Sequence, residues 1–142
     1  MQNRKLNPKN DYPLAQKRPE LLKAPTGKKL EDITLEKVLN GEIKPEDVRI
    51  APETLELQAQ IADADGRVAI SKNFRRAAEL IAIPDKRILE IYNALRPFRS
   101  TREELLEIAK ELEEKYSAKI NGAFVREAAE VYEKRKKLRR EV

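Results

Sequence analysis

The chain has no cysteine and no histidine among its 142 residues. A disulfide framework is impossible, and thiolate and imidazole metal sites are excluded. Nucleophilic pairs of the Ser–His and Cys–His kind are excluded with them. Such an inventory fits a reducing, cytosolic setting. Tryptophan is also absent, and four Tyr with three Phe are all the aromatics. A core must therefore be built mostly from Leu, Ile, Val and Ala, or be completed by a partner. No apolar run approaches the roughly 18–20 residues of a membrane span. The opening MQNRKLNPKN has no apolar stretch of the secretory kind.

What the chain does have is charge. Charged residues make up 39% of it, against 40% apolar, and the net charge is +5. The excess sits at the ends. Residues 1–30 carry eight Lys/Arg against two Asp/Glu, and residues 131–142 carry six against two. The body between them is acidic, with 16 basic and 21 acidic residues. A nucleic-acid-binding protein gathers its basic residues on one face of the folded part. Basic ends on an acidic body read instead as solvated or subunit-contacting tails.

Pro8, Pro13, Pro19 and Pro25 punctuate the first 30 residues, and each removes an N–H donor and biases its predecessor toward extended structure. Tyr12, Leu14, Leu21 and Leu22 lie among them, which a purely disordered tail would not need. Residues 1–33 are read as an extended, basic, Pro-rich arm lying along a surface, its own or a partner's. Residues 34–142 are read as a helical domain. Thr34 is placed to cap a short helix that Gly41 ends. Pro45 and Pro52 can each start a helical turn, and Asp65-Gly66 breaks the pattern. Helical spacing resumes from Val68 to Ile83, and Pro84 opens a helix with Ile88, Ile91, Tyr92 and Leu95 on one stripe. After Arg96-Pro97, Ser100 and Glu103 have capping-box spacing. Leu105, Ile108, Ala109, Leu112 and Tyr116 form the next stripe. Past a break near Ser117 come Ile120, Phe124, Ala128, Val131 and Leu138. No segment alternates with a period of two. The class expected is all-α, with roughly five to six helices.

Three segments imitate functional motifs. Thr26-Gly27-Lys28-Lys29 has the ring of a phosphate loop, but lacks the upstream glycine and the strand–helix setting, so it reads as a turn. Asp63-Ala64-Asp65-Gly66 resembles the start of a calcium loop, but the position that should be Glu is Phe74. The glutamates from Glu103 to Glu114 cannot form a His-assisted di-metal centre without histidine. Lys and Arg three or four residues away, as in Glu107 with Lys110 and Glu111 with Lys115, make them an ion-paired surface. No catalytic, cofactor-binding or metal-binding residue is nominated. The arginines Arg75, Arg76, Arg96 and Arg99 stand apart, because arginine favours bidentate contacts and interface centres.

DYPLAQKRPELLKAPTGKKLEDITLEKVLNGE (11–42), VRIAPETLELQAQIA (48–62), NFRRAAELIAIPDKRILEIYNALRPFRS (73–100) and AFVREAAEVYEKRKKLR (123–139) cover most of the chain. Together they resemble the small subunit of the adenosylcobalamin-dependent diol and glycerol dehydratases. ALRP before an S/T-capped helix, AAEL-x₃-PD upstream and VREAAEVYE downstream carry the likeness. It is looser around residues 63–72. The Lys/Glu density of residues 100–119 exceeds the family's habit and points to a thermophilic source or a surface rebuilt for helix propensity.

The resemblance implies a mostly helical, non-catalytic subunit that packs on a large catalytic subunit. That complex turns 1,2-propanediol or glycerol into an aldehyde by radical chemistry. It implies large and medium partner subunits in a dimer of heterotrimers, with adenosylcobalamin held at the level of the complex. It also implies a cytoplasmic location, with packaging in a bacterial microcompartment left open, and neither nucleic acid nor membrane as partner. The candidate subunit contacts are Tyr12, Pro13 and Leu14 in the arm, Arg75 and Arg76, and the corner Arg96, Pro97, Phe98 and Arg99. The rival classes are a basic helical nucleic-acid-binding protein and a free-standing adaptor.

Overall fold

The computed structural model describes residues 5–140; residues 1–4 of the basic arm and 141–142 of the basic C-terminus lie outside the described residues. The described residues are all-α. In order they form α1 (Pro8–Asp11), α2 (Leu14–Lys17), α3 (Leu35–Leu39), α4 (Pro52–Ala64), α5 (Val68–Leu80), α6 (Asp85–Ala94), α7 (Arg102–Lys115) and α8 (Lys119–Lys134). Single turns of 3₁₀ helix lie at Pro19–Leu21, Leu30–Asp32 and Pro45–Val48. Five of the helices have ten residues or more. The chain divides into two compact units, Met1–Ala78 and Glu79–Val142. None of the helices is long and apolar enough to cross a membrane.

In the first unit the prolines act as expected. Pro8, Pro19, Pro45 and Pro52 each open a turn or helix, where their missing N–H costs nothing. No α-helical segment of the described arm exceeds four residues. Asn7 caps α1 by accepting from the Asn10 N–H at 3.0 Å, and the Tyr12–Pro13 peptide is cis. Thr34 caps α3, accepting from the Lys37 N–H at 3.3 Å. Gly66 ends the α4 region with φ +74°, a left-handed conformation that glycine adopts without strain. A small apolar cluster joins Leu6, Leu14 and Ile61, with Leu21, Leu22 and Leu57 packed on it.

Buried carboxylates do much of the remaining work here. Asp11 accepts from the Asn7 N–H at 2.9 Å and from Arg18 at 2.7 Å. Asp47 accepts from the Thr26 hydroxyl at 2.6 Å, from Lys28 Nζ at 2.7 Å and from the Lys44 N–H at 2.8 Å. Those donors hold the Asp47 carboxyl well below the usual carboxylate range, Lys28 most strongly. The Thr26–Lys29 segment is thus a turn whose polar groups fasten the arm to residues 44–47. Asp63, in the calcium-loop lookalike, is engaged by Arg75 at 2.9 Å, and Asp65 by Arg67 at 2.7 Å.

The second unit has a larger core. Ile83, Ile91, Leu105, Ile108, Ala109, Leu112, Ala118, Val125 and Ala129 are buried together. The α7 stripe was legible in the sequence, as was the break at Ser117, which takes φ +54°. The Ala118 N–H then bonds the Leu112 carbonyl at 2.8 Å, and with the left-handed Ser117 this closes α7 and turns the chain into α8. At Gly122 a Cβ would lie 2.5 Å from Glu113 Cγ, so the glycine permits the close approach of the two helices. No side chain of its own N-cap serves α8. Glu79 supplies the cap from a distance, accepting from the Ile120 and Asn121 N–H groups at 2.9 Å each and from Asn121 Nδ2 at 2.7 Å.

Several expectations shift. On α8 the core takes Asn121, Gly122, Val125 and Ala129, whereas Ile120 and Phe124 are 41% and 43% exposed. The helix carries two neighbouring apolar stripes, and close packing against α7 selects the smaller residues. Tyr92 leaves the α6 stripe and is 66% exposed. The capping box forms one residue later than expected. Thr101 and Glu104 exchange hydrogen bonds at 3.3 and 2.9 Å, because Ser100 Oγ donates to the Ala94 carbonyl at 2.8 Å. The helix expected over Val68–Ile83 stops at Leu80, as Ile83 precedes a proline and plugs the core instead. The α7 glutamates do pair, but between helices. Arg87 forks onto both Glu111 oxygens, with Nε at 3.1 and 3.2 Å, and Arg126 reaches Glu113 at 2.9 and 2.7 Å. Each arginine lowers its partner's pKa.

Candidate docking surface

The corner after α6 is a rigid platform. Its helix ends at Leu95, whose carbonyl accepts from the Tyr132 hydroxyl at 2.6 Å. Pro97 cannot continue the helix, and Phe98 takes φ +65°, an uncommon conformation for an aromatic residue that needs support. The support comes from the chain beyond α8. The Phe98 N–H donates to the Lys137 carbonyl at 2.7 Å, and the Arg139 N–H donates to the Ser100 carbonyl at 2.8 Å. Arg139 also reaches the Arg99 carbonyl at 3.0 Å and Glu104 at 2.6 Å. The Thr101 N–H and then Arg139 lower the Glu104 pKa.

This return of the chain has its own local cause. Lys136 takes φ +55°, and the Lys137 N–H bonds the Tyr132 carbonyl at 2.8 Å, so α8 closes in a tight turn. Leu138 then packs on the core, which anchors the segment against the corner. With the backbone pinned on both sides, the side chains of Arg96, Pro97, Phe98 and Arg99 are left exposed. Lys137 Nζ stands 5.1 Å from the centre of the Phe98 ring, within cation–π range. The outer side of α6 adds Leu89 and Tyr92, 63% and 66% exposed, at i and i+3 from one another.

The other candidates have different fates. Tyr12 and Pro13 are exposed in the first unit, at the edge of a groove of about 510 Å³ that Ile70 and Phe74 also line. Leu14 is buried in its own chain's small cluster. Arg75 is engaged within its unit by Glu56 at 3.1 and 3.2 Å, Asp63 at 2.9 Å and the Ser71 hydroxyl at 2.7 Å. Glu56 and then Asp63 raise its pKa. Arg76 is half-buried on the same helix.

Sequence reasoning missed two surfaces. Leu35, Val38 and Leu39 of α3 are 75%, 48% and 77% exposed, and Val48 and Ile50 add 64% and 44% in the same unit. Their number on so short a helix was a readable signal, since a five-residue helix has little inner face to bury them. The second is the 134–140 segment. It was read as a basic tail, although Leu138 within it hinted at an anchor. An open groove of about 780 Å³ between α6 and α7 is bordered by Glu103, Glu104, Glu107 and Glu111 with Arg87, Arg99 and Arg139. Among the described residues no group of three metal-ligating side chains is placed to hold an ion.

Comparison with known proteins extends over nearly all of this. The family model described as the dehydratase small subunit matches residues 7–139. The propanediol dehydratase small subunit of Salmonella typhimurium is 62% identical over 130 residues, which span 92% of this chain and 75% of that protein. The propanediol dehydratase small subunit of Citrobacter freundii is 60% identical over 129 residues, spanning 91% and 75%.

Proposed function

The chain belongs to the dehydratase small-subunit family, and from that premise we propose that it is the non-catalytic small subunit of a propanediol or glycerol dehydratase. The observation that carries the reading is the match over residues 7–139 together with 62% identity to a propanediol dehydratase small subunit. Larger catalytic subunits are implied by that membership. We assign the partners as a large and a medium subunit, assembled as a dimer of heterotrimers. The assembly is cytoplasmic, free or enclosed in a bacterial microcompartment. Its chemistry, conversion of a 1,2-diol to an aldehyde, is supplied by adenosylcobalamin at the level of the complex. We assign that cofactor to the larger subunits; this chain has neither histidine nor cysteine to offer cobalt.

The role left to the chain is to cover and stabilise partner surface. Of the nine contact candidates, Tyr12, Pro13, Arg96, Pro97, Phe98 and Arg99 are exposed and available for it. The arm and the corner after α6 are the proposed contacts, with the exposed apolar side chains of α3 as an addition. Nothing in the family match favours the nucleic-acid or free adaptor readings.

Co-expression with candidate large and medium subunits, followed by size-exclusion chromatography, tests the reading. The expected result is co-elution in one assembly that forms aldehyde from 1,2-propanediol, while the isolated chain with adenosylcobalamin forms none. A chain that always elutes alone, or that turns over diol by itself, contradicts it.

A further inference from the structure

Two basic stretches far apart in sequence, 96–99 and 134–140, become one surface in the second unit. The hydrogen bonds from Phe98 to Lys137 and from Arg139 to Ser100 lay them side by side. Many arginines of this unit have carboxylate partners: Arg87 with Glu111, Arg102 with Glu133, Arg126 with Glu113 and Arg139 with Glu104. Arg96, Arg99, Lys134, Arg135, Lys136 and Lys137 are all exposed, and none has a carboxylate partner among the described residues. The fold therefore brings together two stretches that carry six exposed cations without carboxylate partners among the described residues, and they meet where Phe98, half-exposed on a pinned backbone, stands beside Lys137.

We propose that this basic corner, with Phe98 at its centre, docks onto an acidic surface of a partner dehydratase subunit that offers carboxylates around an apolar socket. The inference rests on the small-subunit reading and adds the chemistry of the opposing face. Charge complementarity is the argument for the occupant. Like charges held close repel, so a cluster of this kind is relieved by an acidic counterpart, which also speeds encounter. Phe98 and Pro97 supply the apolar centre, with Leu89 and Tyr92 on the adjoining helix. Aromatic and arginine residues together, as in Arg96, Phe98 and Arg99, are the composition of protein–protein hot spots. A phosphate backbone needs only the cations and would leave the apolar members unused.

The test is the rate at which the purified chain joins its large and medium subunits, measured by biolayer interferometry across ionic strength. For the wild-type chain the association rate should fall steeply as salt rises from about 0.05 to 0.5 M, a range over which screening of exposed charges becomes nearly complete. Arg96→Glu with Arg99→Glu should slow association about tenfold or more and flatten the salt dependence, and Lys136→Glu with Lys137→Glu should do the same. Phe98→Ala should act on dissociation instead, speeding it about tenfold or more. Arg96→Lys with Arg99→Lys keeps the charge and should keep the salt dependence. Thermal melts of each free variant separate docking from folding. If a charge-reversed variant melts early, the salt dependence of the wild-type chain still decides. A wild-type rate indifferent to salt, or charge reversals that join as fast as wild type, overturns the proposal and leaves the small-subunit reading standing. Salt-sensitive binding to duplex DNA or RNA that the reversals abolish, with unchanged subunit joining, also overturns it. Failure of the wild-type chain to join the larger subunits at any salt refutes the small-subunit reading itself.

Discussion

The two units of this chain are held together by different physics. The second has a contiguous core of nine buried residues from Ile83 to Ala129, built on three helices of ten to sixteen residues. The first has long stretches of irregular chain and, among the described residues, a smaller cluster of Leu6, Leu14 and Ile61, with Ala51, Leu55, Ala59 and Ala62 also buried. Its turns are fastened by Asp11 and Asp47, while Leu35, Leu39 and Val48 stay exposed. Apolar burial is cooperative and indifferent to pH, whereas carboxylate staples are local and titrate. The first adds polar links at Asp11 and Asp47 to its smaller apolar cluster and leaves apolar side chains exposed that a partner can bury.

The largest expected effect is in the second core. Leu105 is fully buried, and Leu105→Ala should destabilise that unit by about 2–5 kcal/mol through lost transfer energy and a cavity, read as an early melt of its helices by circular dichroism. An equal shift from Leu14→Ala would erase the contrast between the two cores. Next comes the long-range cap. Glu79→Ala strands the Ile120 and Asn121 N–H groups at the start of α8 and should cost about 1–2 kcal/mol, with faster amide exchange at the α8 N-terminus. Unchanged exchange there would mean that water replaces the carboxylate without loss.

Smaller and more local is the effect of acid. The folded pKa of Asp47 is depressed by Lys28, the Lys44 N–H and Thr26, and that of Asp63 by Ser71 and Arg75. A depressed carboxylate stabilises the fold at pH values above its unfolded pKa, near 4, and loses that contribution as pH falls through the folded value. Lowering the pH from about 4 toward 2 should thus reduce amide protection factors, corrected for the intrinsic pH dependence of exchange, in residues 24–32 and 44–48 before α7 and α8 respond. Glu104, Glu111 and Glu113 are depressed too, so the second unit will weaken, but its apolar core remains. Asp47→Asn at neutral pH should reproduce the local loosening. Smallest of all on stability is Leu39→Ser, within about 0.5 kcal/mol for an exposed side chain, while its assembly with larger subunits weakens. A melt that drops by several degrees instead would show Leu39 supporting its own chain.

The sequence made the local punctuation of both units legible, because single residues decide it. Thr34, Gly41, Pro45, Pro52, Gly66, Pro97 and Ser117 each act through their own φ, hydrogen-bonding group or missing donor. The α7 stripe was equally clear, since it offered one apolar face. Choices between near-equivalent options were not readable. Ser100 and Thr101 both precede a glutamate by three, and the Ala94 carbonyl decided between them. Ile120/Phe124 and Val125/Ala129 are adjacent stripes, and contact with α7 decided again. The Glu79 cap spans 41 residues and leaves no local trace. Arg96, Pro97, Phe98 and Arg99 stood out in the sequence as contact candidates, and all four are exposed. Their partnership with residues 137–139 depends on the turn at Lys136, which the composition of a basic tail conceals.

Amide hydrogen exchange on the chain alone and after assembly with large and medium subunits tests the central claim most directly. The account predicts that α7 and α8 are protected in both states, and that assembly adds protection at residues 12–13, 35–39, 96–99 and 134–140. Exchange that is identical with and without the larger subunits at all four segments would contradict it.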